Sequence, residues 1–89
     1  MQVQTITIVN KLGLHARASA KLVNTASRFG AHIDIKRGNK IVNGKSIMGV
    51  MMLAASKGTE IELHIHGEDE VNAMQALVEL ITNRFGEDE

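Results

Sequence analysis

The strictest pattern in the chain is Glu60-Ile61-Glu62-Leu63-His64-Ile65-His66, in which every second residue is apolar. Successive side chains of a strand point to opposite faces, so Ile61, Leu63 and Ile65 share one face while two glutamates and two histidines share the other. A strand buried on both faces, as in a parallel sheet wrapped by helices, reads as a solid apolar run. This strand therefore belongs to a sheet with one covered face and one wet face, and the rest of the chain must supply the cover.

Three other segments read as strands. Val3 to Val9 is rich in valine, isoleucine and threonine, with Ile6 and Ile8 on one face and Thr5 and Thr7 on the other. His32 to Lys36 alternates, Arg37-Gly38-Asn39-Lys40 offers the glycine-led turn of a two-residue hairpin, and Ile41-Val42-Asn43 returns. Between them the period lengthens: Ala18, Leu22, Ala26 and Phe29 recur three or four apart and Val23 widens the stripe. This spacing predicts a helix over Ala16 to Arg28, with Gly30 as a left-handed stop. Ser46 is a favourable N-cap for a second, short helix over Ile47 to Ala55, ended by Lys57-Gly58. Gly67 breaks the last strand, and the acidic Glu68-Asp69-Glu70 suits the start of a third helix. Its core stripe is Val71, Met74, Leu77, Val78, Ile81 and Phe85; Arg84 and Gly86 close it, leaving Glu87-Asp88-Glu89 as a short solvated tail. The order is β-α-β-β-α-β-α, an α+β arrangement with an antiparallel or mixed sheet and all helices on one side.

With 89 residues, 44% of them hydrophobic, the chain makes one domain spanning 1–89, of a size that buries roughly 60–65% of its unfolded surface. It has no cysteine, hence neither disulfides nor thiolate zinc sites, and the expected compartment is the cytoplasm. Met1 to Thr5 lacks the basic start and long apolar core of a signal peptide, and no apolar run approaches the ~20 residues of a membrane span, so no direct membrane insertion is expected. Ten basic residues balance ten acidic ones, and aromatics reach only 2%. Without net positive charge or stacking platforms, nucleic acid is not an expected partner.

The junction between the first strand and the first helix carries the chemistry. Asn10-Lys11-Leu12-Gly13-Leu14-His15-Ala16-Arg17 places a histidine where a helix begins. A helix start presents unpartnered N–H groups and the positive end of the macrodipole, a seat for phosphate. A lone histidine at such a point is more often an ordinary surface residue, but the context is specific. Leu12 and Leu14 are apolar anchors for the loop, Gly13 permits a tight turn, and Ala16, Ala18, Ser19 and Ala20 leave the ring uncluttered. Neutral imidazole is nucleophilic near physiological pH, and Arg17 offers planar donors to phosphoryl oxygens.

The run Lys11-Leu12-Gly13-Leu14-His15-Ala16-Arg17, followed about thirty residues later by Asn43-Gly44-Lys45-Ser46-Ile47-Met48-Gly49, resembles the HPr family, the histidine-containing phosphocarriers of the phosphoenolpyruvate-dependent sugar phosphotransferase system. The resemblance covers nearly the whole chain. It implies an open-faced β-sandwich in which a four-stranded antiparallel sheet, order 1-4-2-3, is covered on one face by three helices. It further implies that His15 accepts phosphate on Nδ1 from phosphorylated enzyme I and passes it to the A domains of sugar permeases, with Arg17 stabilising the phosphate. The chain would then be a carrier and not an enzyme, with no cofactor. One departure is Ala18, where the family commonly has proline; alanine is a strong helix former and leaves the seat intact.

Ser46, on its own, is a preferred cap. By resemblance it is also the target of an ATP-dependent HPr kinase/phosphorylase, and a phosphoserine would place roughly −1.5 to −2 charge at a helix start, repelling acidic partners. In the second helix Ile47, Val50 and Leu53 can pack inward, whereas Met48, Met51 and Met52 cannot all follow. Methionines in a short helix are often core filling; exposed, they form an adaptable apolar patch. The resemblance makes Ile47, Met48 and Met51 partner-docking residues, with Arg17, Ala20 and Lys21 at the edge. His64 and His66 share a strand face, but two imidazoles without a third ligand are a weak metal signal, and none is expected; His32 reads likewise as a sheet-surface residue, and Glu60 and Glu62 as part of a solvated face. A docking carrier gains little from hiding its patch, so a monomer is expected. A nitrogen-related or mainly regulatory member of the same family, and more distantly a small-ligand-binding regulatory domain, remain alternatives at this point.

Overall fold

In the computed structural model, which describes residues 1–89, β4 (Glu60–His66) is the strand on which the sheet is assembled. It pairs antiparallel with β1 (Gln2–Thr7) on one side and β2 (His32–Arg37) on the other, and β2 pairs with β3 (Lys40–Asn43), giving the order β1-β4-β2-β3. The register sets Ile6 opposite Ile61, Ile33 opposite Ile65 and Ile35 opposite Leu63. A slip of one residue would turn every one of these side chains to water, so burial fixes the pairing. On the other face Asp34 stands opposite His64 and Lys36 opposite Glu62.

Three helices cover the apolar face: α1 (Ala16–Ala26), α2 (Ile47–Met52) and α3 (Glu70–Thr82). The order is the expected β-α-β-β-α-β-α, and the fold is the open-faced sandwich with sheet order 1-4-2-3. Buried side chains form one continuous cluster, in which the sheet's isoleucines and Leu63 meet Leu22 of α1, Val50 of α2, and Leu77 and Ile81 of α3.

Several boundaries differ from the sequence expectation for identifiable reasons. β1 ends at Thr7, although Ile8 still exchanges backbone bonds with the segment before β4, donating to Thr59 (2.9 Å) and accepting from Gly58 (2.8 Å). Gly30 is not left-handed: α1 ends at Ala26, and the Asp69 carboxylate accepts the N–H groups of Gly30 and Ala31 at 2.9 Å each. The helix ends in a turn whose N–H groups, those of Ser27, Arg28 and Phe29, bond to the carbonyls of Val23, Thr25 and Ala26, and Asp69 ties down the segment beyond it. Helix α2 is shorter than read because Ala54 turns left-handed (φ 51°), and two cations of the hairpin take the freed carbonyls, Arg37 that of Leu53 (2.7 Å) and Lys40 that of Met52 (3.3 Å). Val71 is 60% exposed, since Ala73, Leu77 and Ile81, four apart, define the inward stripe of α3 and rotate Val71 off it.

Candidate functional site

The loop between β1 and α1 is pinned before it delivers His15. Gly13 has φ +65°, and a Cβ there would press on the Ala55 carbonyl oxygen and lie 2.7 Å from Ser56 Cα, so glycine is required on both counts. Leu14 is buried and donates its N–H to Ala55 (2.9 Å), while the buried Ser19 hydroxyl donates to the Leu14 carbonyl (3.1 Å). Leu12, expected as a second anchor, is instead 66% exposed: Leu14 alone turns into the core, and Leu12 forms a wall beside His15.

His15 is the N-cap of α1 in extended geometry (φ −74°, ψ 179°), and its side chain makes no capping bond. The first intrahelical bond runs from Ser19 N–H to the His15 carbonyl (2.8 Å), so the amides of Ala16, Arg17 and Ala18 have no intrahelical acceptor. No acidic residue lies in the first turn to neutralise that end. The His15 side chain is 27% exposed and opens on a concavity of about 760 Å³ whose walls include Lys11, Leu12, Ala16, Arg17 and the last three residues of the chain.

Of those last residues Asp88 and Glu89 are exposed, as expected of a solvated tail, but the segment folds back on the domain and half-buries Glu87. Phe85 is fully buried, and Arg84, Phe85 and Gly86 take successive left-handed conformations (φ 55°, 55° and 77°) that fold the chain back. Lys21 fixes the reversal by donating to the Phe85 carbonyl (2.6 Å). The backbone N–H of Lys11 then donates to the Glu89 carbonyl (3.0 Å), and its ammonium pairs with the Glu89 carboxylate (3.1 Å). Glu87 arrives against the site: one carboxylate oxygen lies 2.6 Å from His15 Nε2, and the other accepts from the Asn10 amide (3.1 Å). The Asn10 amide nitrogen also donates to the Gly13 carbonyl (2.8 Å), while its buried Oδ1 has no partner. Burial pushes the Glu87 carboxyl upward, but the hydrogen bonds from His15 and Asn10, with the charges of His15 and Lys21, outweigh it and hold the group below its ordinary value.

His15 and Arg17, the residues that the sequence pattern singles out, line this concavity together, whereas the pattern does not single out Asn10 and Glu87. The available signals were a polar residue between the apolar Val9 and Leu12, and an acidic run starting two residues after a core phenylalanine, which cannot stray far from its anchor.

Ser46 caps α2 as expected, its hydroxyl accepting from Gly49 N–H (3.1 Å). On that helix Val50 and Leu53 are buried, whereas Ile47, Met48, Met51 and Met52 are exposed, Met48 by 70%. The inward packing expected of Ile47 is not observed; it extends the apolar patch. Arg17 is exposed and Ala20 and Lys21 are half-buried on α1, which packs against α2. The remaining histidines lie apart from this site: His32 pairs with Asp34 (3.1 Å) and His64 with Glu62 (2.9 Å) on the wet sheet face, and no three His, Asp or Glu side chains are grouped to hold a metal.

Residues 2–83 match the family model described as the PTS HPr component phosphorylation site. The phosphocarrier protein HPr of Pseudomonas putida is 58% identical over 90 residues, covering 100% of both chains. The crystal structure of HPr-C-His from Thermoanaerobacter tengcongensis superposes with a TM-score of 0.96 at 49% identity, covering 100% of both chains. An HPr dimer from the same organism gives 0.79 at 50% identity, covering 98% of this chain and 100% of that one.

Proposed function

The chain belongs to the HPr family of phosphocarriers of the phosphotransferase system, and on that premise we propose that it carries a phosphoryl group on His15 Nδ1 between phosphorylated enzyme I and the A domains of sugar permeases. The observation that carries this reading is a partly exposed imidazole at the uncapped start of α1, with Arg17 two residues on and no acid in the first turn. The Nδ1 lone pair forms the bond to phosphorus while the bond to the donor breaks and its electron pair stays with the donor. The amides of the first turn and the Arg17 guanidinium face the phosphoryl oxygens with fixed positive charge. Onward transfer reverses these roles, which suits a carrier whose site is a shallow open concavity and not an enclosed pocket.

Exposed Ile47, Met48 and Met51, edged by Arg17, Ala20 and Lys21, form the docking surface for enzyme I and permease domains in turn, and thioethers suit a surface that meets several partners. Ser46 is the regulatory site for an HPr kinase/phosphorylase: a phosphate there adds charge to the rim of this patch, where it repels acidic partners. The working unit is a single-domain cytoplasmic monomer with this patch free. The test is incubation with phosphoenolpyruvate and enzyme I. We expect an acid-labile, base-stable phosphate that His15→Ala abolishes; phosphate retained in that variant would refute the assignment.

A further inference from the structure

We propose that Glu87, held in place by Asn10, is a positioning residue that keeps the His15 imidazole in its Nε2–H tautomer, so that Nδ1 presents the lone pair; the inference rests on His15 being the phosphoryl acceptor. The ring's hydrogen bond to the protein is through Nε2, to a Glu87 carboxylate oxygen at 2.6 Å, and the ring makes no bond to the α1 amides. An ionised carboxylate can only accept, so in a neutral imidazole the proton must sit on Nε2 and the lone pair on Nδ1. Hydrogen bonds from His15 and Asn10 favour that ionised form even though the site is partly desolvated.

Asn10 fixes which carboxylate oxygen does this. Its amide nitrogen bridges the Gly13 carbonyl (2.8 Å) and the second Glu87 oxygen (3.1 Å). The flipped amide would set Oδ1 against two acceptors, so the orientation is determined although it leaves Oδ1 unpaired in the interior. As Nδ1 spends its lone pair on phosphorus the ring gains positive character, and the proton stays on Nε2 facing the carboxylate. The same bond therefore strengthens during acceptance. Two left-handed non-glycine residues, Arg84 and the buried Phe85, maintain this docking of the tail.

The geometry makes an unusual demand on the test variants. In Glu87→Gln, the Asn10 donor claims the glutamine oxygen, which leaves the glutamine NH₂ facing Nε2; that donor requires an acceptor, and the ring switches to the Nδ1–H tautomer. Glu87→Ala removes the preference without reversing it. The experiment is ¹⁵N NMR of the His15 ring at a pH of about 8, where imidazole is ordinarily neutral, together with the rate of phosphorylation by phospho-enzyme I. Wild type should show Nε2–H, the alanine variant a mixture, and the glutamine variant Nδ1–H. Transfer rates should fall in the same order, glutamine being roughly ten- to a hundredfold below wild type, the span set by a hydrogen bond to a charged group.

If Glu87 merely packs, its near-isostere glutamine should be milder than alanine, and that result would overturn the proposal. A wild-type Nδ1–H ring would overturn it as well, with phosphate uptake on His15 still upholding the carrier role. An Nε2–H ring in a protein that takes up no phosphate would instead refute the carrier role, and with it any part for Glu87 in transfer.

Discussion

Substituting Arg84 by glycine should stabilise the protein, against the usual effect of adding a glycine to a folded segment. Arg84 is exposed, forms none of the ion pairs, and sits at φ 55°. For an L-residue the left-handed region costs roughly 1–2 kcal/mol, because Cβ crowds the backbone carbonyl. Glycine escapes that cost but has more unfolded freedom to lose, roughly 0.4–1 kcal/mol. The difference favours glycine by about 0.5–1 kcal/mol, which in a domain of this size raises Tm by about 2–8 °C. Arg84→Ala is the control, since it removes the same side chain and keeps the crowded Cβ. Thermal and urea unfolding should therefore rank glycine above alanine, with unchanged m-values. The Glu87 contact should persist in both, as the bond from Glu87 N–H to the residue 84 carbonyl (2.9 Å) involves backbone alone. Alanine equal to or above glycine would show that the turn stores no backbone strain, and would remove the reason for regarding the tail as held against a cost.

Three further outcomes follow from the same geometry. Met48→Asp puts a charge on the most exposed methionine of the proposed docking patch and should leave Tm within about 4 °C of wild type while lowering kcat/KM with phospho-enzyme I by roughly tenfold, the effect of losing one interface anchor; an unchanged rate would move the docking surface elsewhere. Ser46→Ala removes the bond to Gly49 N–H and should cost about 1 kcal/mol in urea unfolding, whereas Ser46→Asp, itself a good cap, should retain stability and slow His15 phosphorylation; equal transfer rates for wild type and the aspartate would refute the regulatory reading. Glu70 is held below its ordinary value of 4.5 by its bond to the chain's amino terminus and by the Gly67 N–H, and Glu87 is lowered by His15 and Asn10 despite burial. Because the folded state lowers both values, their stabilisation is complete above the ordinary carboxylate range and is lost as pH falls through the folded values below it. Unfolding curves should weaken in that acid window, and Glu70→Gln should flatten the loss.

Periodicity made most of this fold legible because the sheet is wet on one side. Alternation in β4, β1 and β2 could record a single buried face, and the fourfold spacing of Leu22 and Ala26 recorded the helix above it. Where one residue decided an outcome, the pattern failed. Gly30 looked like a left-handed helix stop, but α1 ends four residues earlier, and Gly30 is held by Asp69, thirty-nine positions away. Val71 matched the spacing of a core stripe and lost its place to Ala73, which is fully buried while Val71 faces outward. The site divides in the same way. His15, Arg17 and Ser46 sit at helix starts, where one local rule explains their use, and the motif around them could be read directly. Glu87 reaches His15 across seventy-two positions through one carboxylate, and no period can register a contact made once. Its position follows from Phe85: a core residue followed by a left-handed glycine turns the next residue back over the loop between β1 and α1. An acidic terminus trailing a buried aromatic is therefore better read by where its anchor lies than by its own polarity.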